Sequence, residues 1–319
     1  MGTYRRGVYA LSSQLHIGLI DVDGHHFPNL PLMKLSAYYK KHGHDVHWYS
    51  PLLDSEKPLD YIYMSKVFTS SPDYDYPLNS RHIIRGGTGY YYPDGGSLLP
   101  EEIEHCFPDY SLYPELTANT AYGFLSRGCP RQCDFCIVGH KEGTCSRKVA
   151  DLQEFWNGQK TVKLLDPNIT ACPDWPELFQ QLIDSHAWID FTQGLDIRLM
   201  TDEKAKLLQK MKIKQIHFAW DRYEDRDAII PKFERFKELT RWDKRKLSVY
   251  VLTNYDSTFE QDLERVYTLR ELGYHPYIMI YEKEKLAKGH RLLHLQRWVN
   301  SKVAFESVAR FEDYKRYKP

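Results

Sequence analysis

Three of the chain's six cysteines stand together in Ser126-Arg127-Gly128-Cys129-Pro130-Arg131-Gln132-Cys133-Asp134-Phe135-Cys136. Thiolates bind soft metals and iron-sulfur clusters, and gaps of three and two residues let one short loop wrap a single cuboidal cluster. Three thiolates hold three irons. The fourth iron then lacks a protein ligand and is open to a small molecule, as the vacant position of a catalytic metal site is. Two other readings use the same residues: a structural zinc completed by His140 or Cys145, and a redox pair in Cys133-Asp134-Phe135-Cys136. Zinc cysteines usually come as two separated pairs, and a redox pair leaves Cys129 without a role, so the spacing favours the cluster. Cys106, Cys145 and Cys172 are scattered. Cys145 and Cys172 are candidate catalytic thiols, and all three are candidate ligands of a second cluster, against the ordinary state of an isolated cysteine as an inert small hydrophobe.

Such a loop needs a frame. A chain of 319 residues exceeds the roughly 250–300 at which one hydrophobic core stops growing, which predicts two lobes. Lysine plus arginine number 43, as do aspartate plus glutamate, so no net field draws the whole molecule onto nucleic acid or anionic lipid. No apolar run reaches the roughly 18 residues of a membrane span, and Met1 to Arg6 lead into mixed sequence rather than an apolar leader. The expectation is a cytoplasmic protein with no membrane partner.

Leu15 to Asp21 reads as a strand, Pro31 to Lys41 as a helix stopped by Gly43, and Asp45 to Tyr49, Tyr61 to Met64 and His82 to Ile84 as strands, which together predict a small α/β unit. Tyr90 to Pro114 is punctuated by proline and glycine and reads as a connector. Six β-rich segments follow: Ala121 to Leu125, Thr161 to Leu165, Ile189 to Thr192, Gln215 to Trp220, Leu247 to Leu252 and Pro276 to Tyr281. Helical patterns separate them, which implies parallel strands with the chemistry at their C-terminal ends. Asp174 with Glu177, and Thr258 with Gln261, have helix-capping spacing, and Phe259, Leu263, Val266, Leu269 and Leu272 mark the apolar face of the last of these helices. The expected domains are 1–115, 116–285 and a C-terminal cap over 286–319, where Arg291, Arg297, Trp298, Arg316 and Tyr317 mix basic with aromatic character.

The CxxxCxxC spacing, with Phe135 just before the last cysteine, resembles the radical S-adenosylmethionine (SAM) enzymes, and the six strand-helix units are similar to their partial (β/α)6 barrel. The resemblance covers about Ala121 to Glu282. It implies a 4Fe-4S cluster on Cys129, Cys133 and Cys136, whose open iron chelates the amino and carboxylate groups of SAM. One electron, from an external donor such as flavodoxin or ferredoxin, then cleaves SAM to methionine and a 5′-deoxyadenosyl radical that abstracts hydrogen from substrate. By the same resemblance the cofactor-binding candidates are Phe135, Asp166 for the SAM ammonium, Arg198 for its carboxylate, and Asp196 or Gln193 for the ribose. The usual glycine pair near Asp166 is absent. Asp221 and Asn254, which end later strands, are ribose or substrate candidates, with helix capping as their alternative role.

The first lobe resembles the Rossmann-like cobalamin-binding domain that precedes many radical SAM barrels. In that family a DxHxxG motif supplies a histidine to cobalt. Here Asp23-Gly24-His25-His26-Phe27-Pro28 has proline where the glycine belongs, while Ser65 and Gly86-Gly87 recur in order. The reading favours a lobe that keeps the fold without the corrin, and a cobalamin-dependent methyltransferase is the alternative. An iron-sulfur redox sensor without turnover is the alternative from another class. The expected substrate is a small molecule or peptide. Nucleic acid ranks below these, hinted at by Arg235, Arg241, Trp242, Arg291, Arg297 and Trp298, because runs such as Lys204, Lys206, Lys210, Lys212 and Lys214 are ordinarily solvated helix faces.

Overall fold

The structure, a computed structural model, describes residues 14–315; Met1 to Arg6, Arg316 and Tyr317 lie outside the described residues. Contacts divide the chain into two compact units, Met1–Thr120 and Ala121–Pro319. Both are mixed α/β with parallel sheets, and no described helix is long and apolar enough to cross a membrane.

The first unit runs β1 (His16–Asp21), α1 (Leu30–Lys41), β2 (Asp45–Trp48), β3 (Leu59–Ser65), β4 (Ser80–Gly86), then two single-turn helices, α2 (Glu101–Glu104) and α3 (Pro114–Thr117). Its strands pair in parallel in the order β2-β1-β3-β4. Central β1 is apolar on both faces, with Ile17, Leu19 and Ile20 buried, as a parallel strand covered on both sides requires. Asn29 caps α1 through a bond from Leu32 N, Pro31 sits in its first turn, and Gly43 ends it at φ +79°.

The second unit contains β5 (Thr120–Gly123), β6 (Ser126–Arg127), α4 (Val138–Glu142), β7 (Arg147–Lys148), β8 (Thr161–Leu164), α5 (Trp175–Asp184), β9 (Trp188–Phe191), α6 (Asp202–Leu208), β10 (Lys212–Ile213), β11 (Ile216–Trp220), α7 (Arg226–Thr240), β12 (Leu247–Thr253), α8 (Phe259–Glu271), β13 (His275–Ile280), α9 (Arg291–Asn300) and α10 (Lys302–Ser307). Besides the antiparallel pair β6-β7, two larger sheets form, β10-β9-β8-β5 and β11-β12-β13, and a parallel bridge between Leu195 and Phe218 joins them. Helices cover one face: Phe218 packs edge-on against Phe233 and Phe236 of α7, and Phe179 of α5 meets Phe191. Each of these fully buried rings contributes about 1.5–3 kcal/mol relative to exposure.

Four local expectations need correction. Thr258 and Gln261 form a capping box on α8, but the Asp174 side chain makes no cap bond at α5, because its carboxylate accepts from Cys172 Sγ at 3.8 Å and Glu177 turns to Lys148. The buried face of α8 is Asp262, Arg265, Val266 and Leu269 rather than an apolar stripe from Phe259 to Leu272. The reason is Arg265, whose fully buried guanidinium donates to the carbonyls of Trp220 (2.8 Å), Asp221 (2.9 Å) and Leu252 (2.7 Å), to Ser257 Oγ and to Asp262 Oδ1. It ties the C-terminal ends of β11 and β12 together, and these bonds offset the cost of burying the charge. Lys204 is not on a solvated face: it is buried, and its ammonium donates to Thr170 O (2.9 Å) and Leu199 O (3.0 Å) above the Trp175 ring. Trp298 is fully buried under Arg270, out of reach of a nucleobase.

Candidate functional site

The cysteine loop leaves β5 through a turn that Asp166 holds from beneath. This carboxylate, 4% exposed, accepts from Leu125 N (3.1 Å), Ser126 N (2.5 Å) and Ser126 Oγ (2.7 Å). Burial pushes it up to about 6, against the pull of those donors. Its oxygens are occupied by the chain, which makes Asp166 an anchor of the loop. The loop then crosses its own return segment: Gly128 takes φ +87°, and a Cβ there would collide with the carbonyl oxygen of Cys145. Cys129 N donates to Gly143 O (3.1 Å), and Cys136 N to Cys133 O (2.9 Å).

Loops from four strand ends brace this segment. After β8, Asn168 Nδ2 donates to Cys129 Sγ at 3.5 Å, and Thr170 Oγ1 fixes the amide by donating to Asn168 Oδ1 at 2.6 Å. After β9, Asp196 accepts from Arg131 Nε (2.8 Å) and Arg198 Nε (2.8 Å), and Arg198 Nη1 reaches Asp225 (2.7 Å). After β11, Arg222 pairs with Asp134 (3.2 Å). After β12, Tyr255 meets the Phe135 ring edge-on at 5.1 Å, and Tyr281 stands against Tyr255 at the same distance. Asn254, at φ +64°, turns the chain there and donates to Tyr281 O. The thiols thus lie at the C-terminal ends of the strands, where an α/β sheet presents its ligands.

The thiols are half-buried and free of disulfides. Burial, then the negative charge of Asp221 and the neighbouring thiols, pushes Cys133 up to about 11; burial likewise raises Cys136. Burial also raises Asp221 to about 6, with Asp225 and Asp196 adding to the effect and Arg265 opposing it. This anionic crowding favours a cationic guest, and iron deprotonates the thiols it binds. No three described His, Cys, Asp or Glu side chains are gathered as a single ion requires. A cuboidal cluster binds each thiolate at a different iron, so its ligands need not converge. Three half-buried thiols on one loop, with an amide N–H aimed at one sulfur, fit that group.

The other candidates divide. Phe135, Asp196, Arg198, Asp221 and Asn254 belong to this rim, with Arg198 held between two carboxylates. Gln193 is exposed just after β9. Cys172 is 1% exposed in the core, where burial raises its thiol, whereas Cys145 is exposed. Cys106, in the first unit, donates to Glu102 O. Sequence reasoning missed Arg131, Asn168, Arg222, Asp225 and Tyr255; the available signal was proximity, since Arg131 lies inside the motif and Asn168 two residues past Asp166.

In the first unit the comparable loop is closed on itself. Asp23 accepts from Val67 N (2.5 Å), Phe68 N (3.2 Å) and Ser71 Oγ (2.6 Å). The His25 ring rests tilted against Trp48, 4.2 Å between centroids, and Ser65 Oγ accepts from Asn29 Nδ2 at 2.8 Å. Side chains at Gly87 or Gly89 would collide with Lys66. Asp23 thus spends its carboxylate on Val67, Phe68 and Ser71 and, among the described residues, makes no hydrogen bond to the exposed His25 ring, so the aspartate does not back the histidine as that motif requires.

No family model matches the sequence, and no curated protein matches it. Among solved structures, the radical S-adenosylmethionine methyltransferase TsrM from Kitasatospora setae, with cobalamin and 4Fe-4S cluster bound, superposes at a TM-score of 0.58 with 12% identity over 84% of this chain and 75% of that one. The same methyltransferase with tryptophan substrate and the SAM analogue aza-SAM gives a TM-score of 0.60, again at 12% identity, over 83% of this chain and 73% of that one. Those shares exceed either unit alone, so the match enters both. At this identity the likeness is one of fold: the chain shares the overall mixed α/β architecture of this cobalamin- and cluster-bound methyltransferase.

Proposed function

We propose that the chain is a radical SAM enzyme, its second unit a partial (β/α)6 barrel formed by β5, β8, β9, β11, β12 and β13, and its first unit a Rossmann-like lobe. The observation that carries this reading is the three-thiol loop braced by the C-terminal ends of β8, β9, β11 and β12. Cys129, Cys133 and Cys136 hold a 4Fe-4S cluster. When bound, that cluster supplies one-electron reductive cleavage of SAM and so a radical able to abstract hydrogen. Asn168 donates to the Cys129 sulfur and stabilises its thiolate form. Arg131 and Asp196 fix the loop against the end of β9, and Arg198, set between Asp196 and Asp225, keeps its fork at the same rim. Phe135, Tyr255 and Tyr281 form an aromatic wall that excludes water beside the thiols. In this reading Gln193, Asp221 and Asn254 contact the ribose or substrate. The substrate is a small molecule or peptide, and the electron comes from an external donor such as flavodoxin or ferredoxin, in a reducing cytoplasm.

The test is anaerobic reconstitution with iron and sulfide, reduction, addition of SAM and chromatography for 5′-deoxyadenosine. The wild-type chain produces it and Cys129→Ser does not. A fully loaded cluster that yields no nucleoside refutes turnover and leaves the redox sensor.

A second reading, a cobalamin-dependent radical SAM methyltransferase, is favoured by one observation: the fold likeness to a cobalamin-bound methyltransferase extends into the first unit. Purification with hydroxocobalamin separates the two. Corrin absorbance that survives gel filtration, with a methylated product, supports the second reading; corrin that washes away leaves the first.

A further inference from the structure

Parallel strands are ordinarily buried on both faces and therefore apolar throughout. In the second unit they alternate instead. Leu164, Phe191, Phe218, Val249 and Ile278 are buried on one set of positions, and helices pack on Phe191 and Phe218. The intervening positions carry Tyr122, Lys163, Asp190, His217, Tyr250 and Tyr277, a polar stripe across the sheet. Lys163 and Asp190 are register partners on β8 and β9, as Tyr250 and Tyr277 are on β12 and β13. The His217 and Tyr250 rings lie parallel, 2° apart in tilt and 4.9 Å between centroids, and the Lys163 ammonium lies over Tyr122 at 5.5 Å. Burial raises the Tyr122 and Tyr250 hydroxyls and lowers the His217 imidazole, and the Asp190 charge acts on all three, which groups the stripe around that carboxylate.

Two features of the stripe are incomplete. Neighbouring strands lie about 4.8 Å apart, yet the Lys163 ammonium lies over Tyr122 and, among the described residues, makes no ion pair or hydrogen bond with Asp190, its register partner on the same side. His217 Nδ1 is buried without a hydrogen-bond partner. At the open end of the stripe, Tyr277 is 43% exposed. All six positions precede the strand ends that brace the cysteine loop.

We propose that this face is the substrate site and that it takes a small zwitterion bearing an unsaturated ring, of the aromatic α-amino acid class. The carboxylate pairs with Lys163 and the ammonium with Asp190. One carbon separates those two groups in an α-amino acid, which matches two opposite charges on adjacent strands. The ring lies against Tyr122 and the His217–Tyr250 pair. The assignment rests on the reading of the second unit as the catalytic one.

The test is isothermal titration of the full-length protein, without SAM or reductant, with L-phenylalanine, L-tyrosine and L-tryptophan. The comparison probes are 3-phenylpropionate, phenethylamine and L-alanine. At least one aromatic amino acid binds about tenfold or more tightly than each comparison probe. Lys163→Met weakens that amino acid and phenylpropionate but not phenethylamine, and the near-isosteric Asp190→Asn does the reverse. Circular dichroism confirms that both variants are folded. The proposal is overturned if no aromatic amino acid binds at millimolar concentration, if single-charge analogues bind equally well, or if folded variants bind as the wild type does. No radical forms in this assay, so its failure leaves 5′-deoxyadenosine formation standing, and failure of the cleavage assay leaves amino acid binding standing.

Discussion

The loop after β1 in the first unit and the loop after β5 in the second occupy equivalent positions, each following the first strand of a parallel α/β unit. Their side chains have opposite fates. In the cysteine loop the bracing groups, Arg131, Asp134 and Phe135, alternate with the thiols and leave the sulfurs half-buried and free. In the Asp23 loop the motif residues themselves are engaged: Asp23 with the backbone of Val67 and Phe68, and His25 with Trp48. A ligand loop is thus recognised by chemistry left unpaired in front and support supplied from behind, and position in the fold alone does not identify one.

Cys133→Ser breaks the comparison most sharply. It abolishes cluster assembly, seen as iron content at background and loss of visible absorbance, whereas Asp23→Ala leaves both at wild-type level. Next come the two crowded glycines. Gly128→Ala and Gly87→Ala each place a Cβ against a backbone carbonyl at positive φ and cost about 1–3 kcal/mol, read from urea unfolding. Only Gly128→Ala also lowers iron content, because only that turn carries thiols. Arg131→Met keeps the cluster but loosens its loop, lowering 5′-deoxyadenosine formation about tenfold, the equivalent of about 1.4 kcal/mol. Equal activity at wild-type iron content would remove Arg131 from the positioning set.

The smallest effect is one of pH. Burial, against the pull of Tyr113 donating to it at 2.7 Å, pushes Asp21 up to about 6 from 3.8. Between those values the folded chain holds a proton that the unfolded chain has released. The stability that Asp21 contributes therefore falls as pH rises from about 4 to about 6, and is level above that. Asp166 adds a slope of the same sign in the second unit. In urea midpoints measured across this window, Asp21→Asn shows a shallower fall than the wild type; an unchanged slope would show that Asp21 is not titrating there.

Much of the architecture was legible. The alternation of β-rich and helical segments located β1 to β4 and the six long strands of the second unit within a few residues, because apolar periodicity is local. The capping box at Thr258 and the stop at Gly43 are local as well. Arg265 was not legible: a charged residue inside a helical pattern reads as solvated until two strand ends are found to offer it their carbonyls. Lys204 misled for the same reason.

The amino-acid sequence by itself determined the trio of thiols, their spacing and the strand they follow, since those are properties of a dozen consecutive residues. Only the tertiary structure decided which charges meet. Arg131 and Asp196 are 65 residues apart in sequence, and Asn168 and Cys129 are 39 apart. Only the register of the parallel strands brings such distant loops to one rim, and that register is set by the packing of the whole sheet.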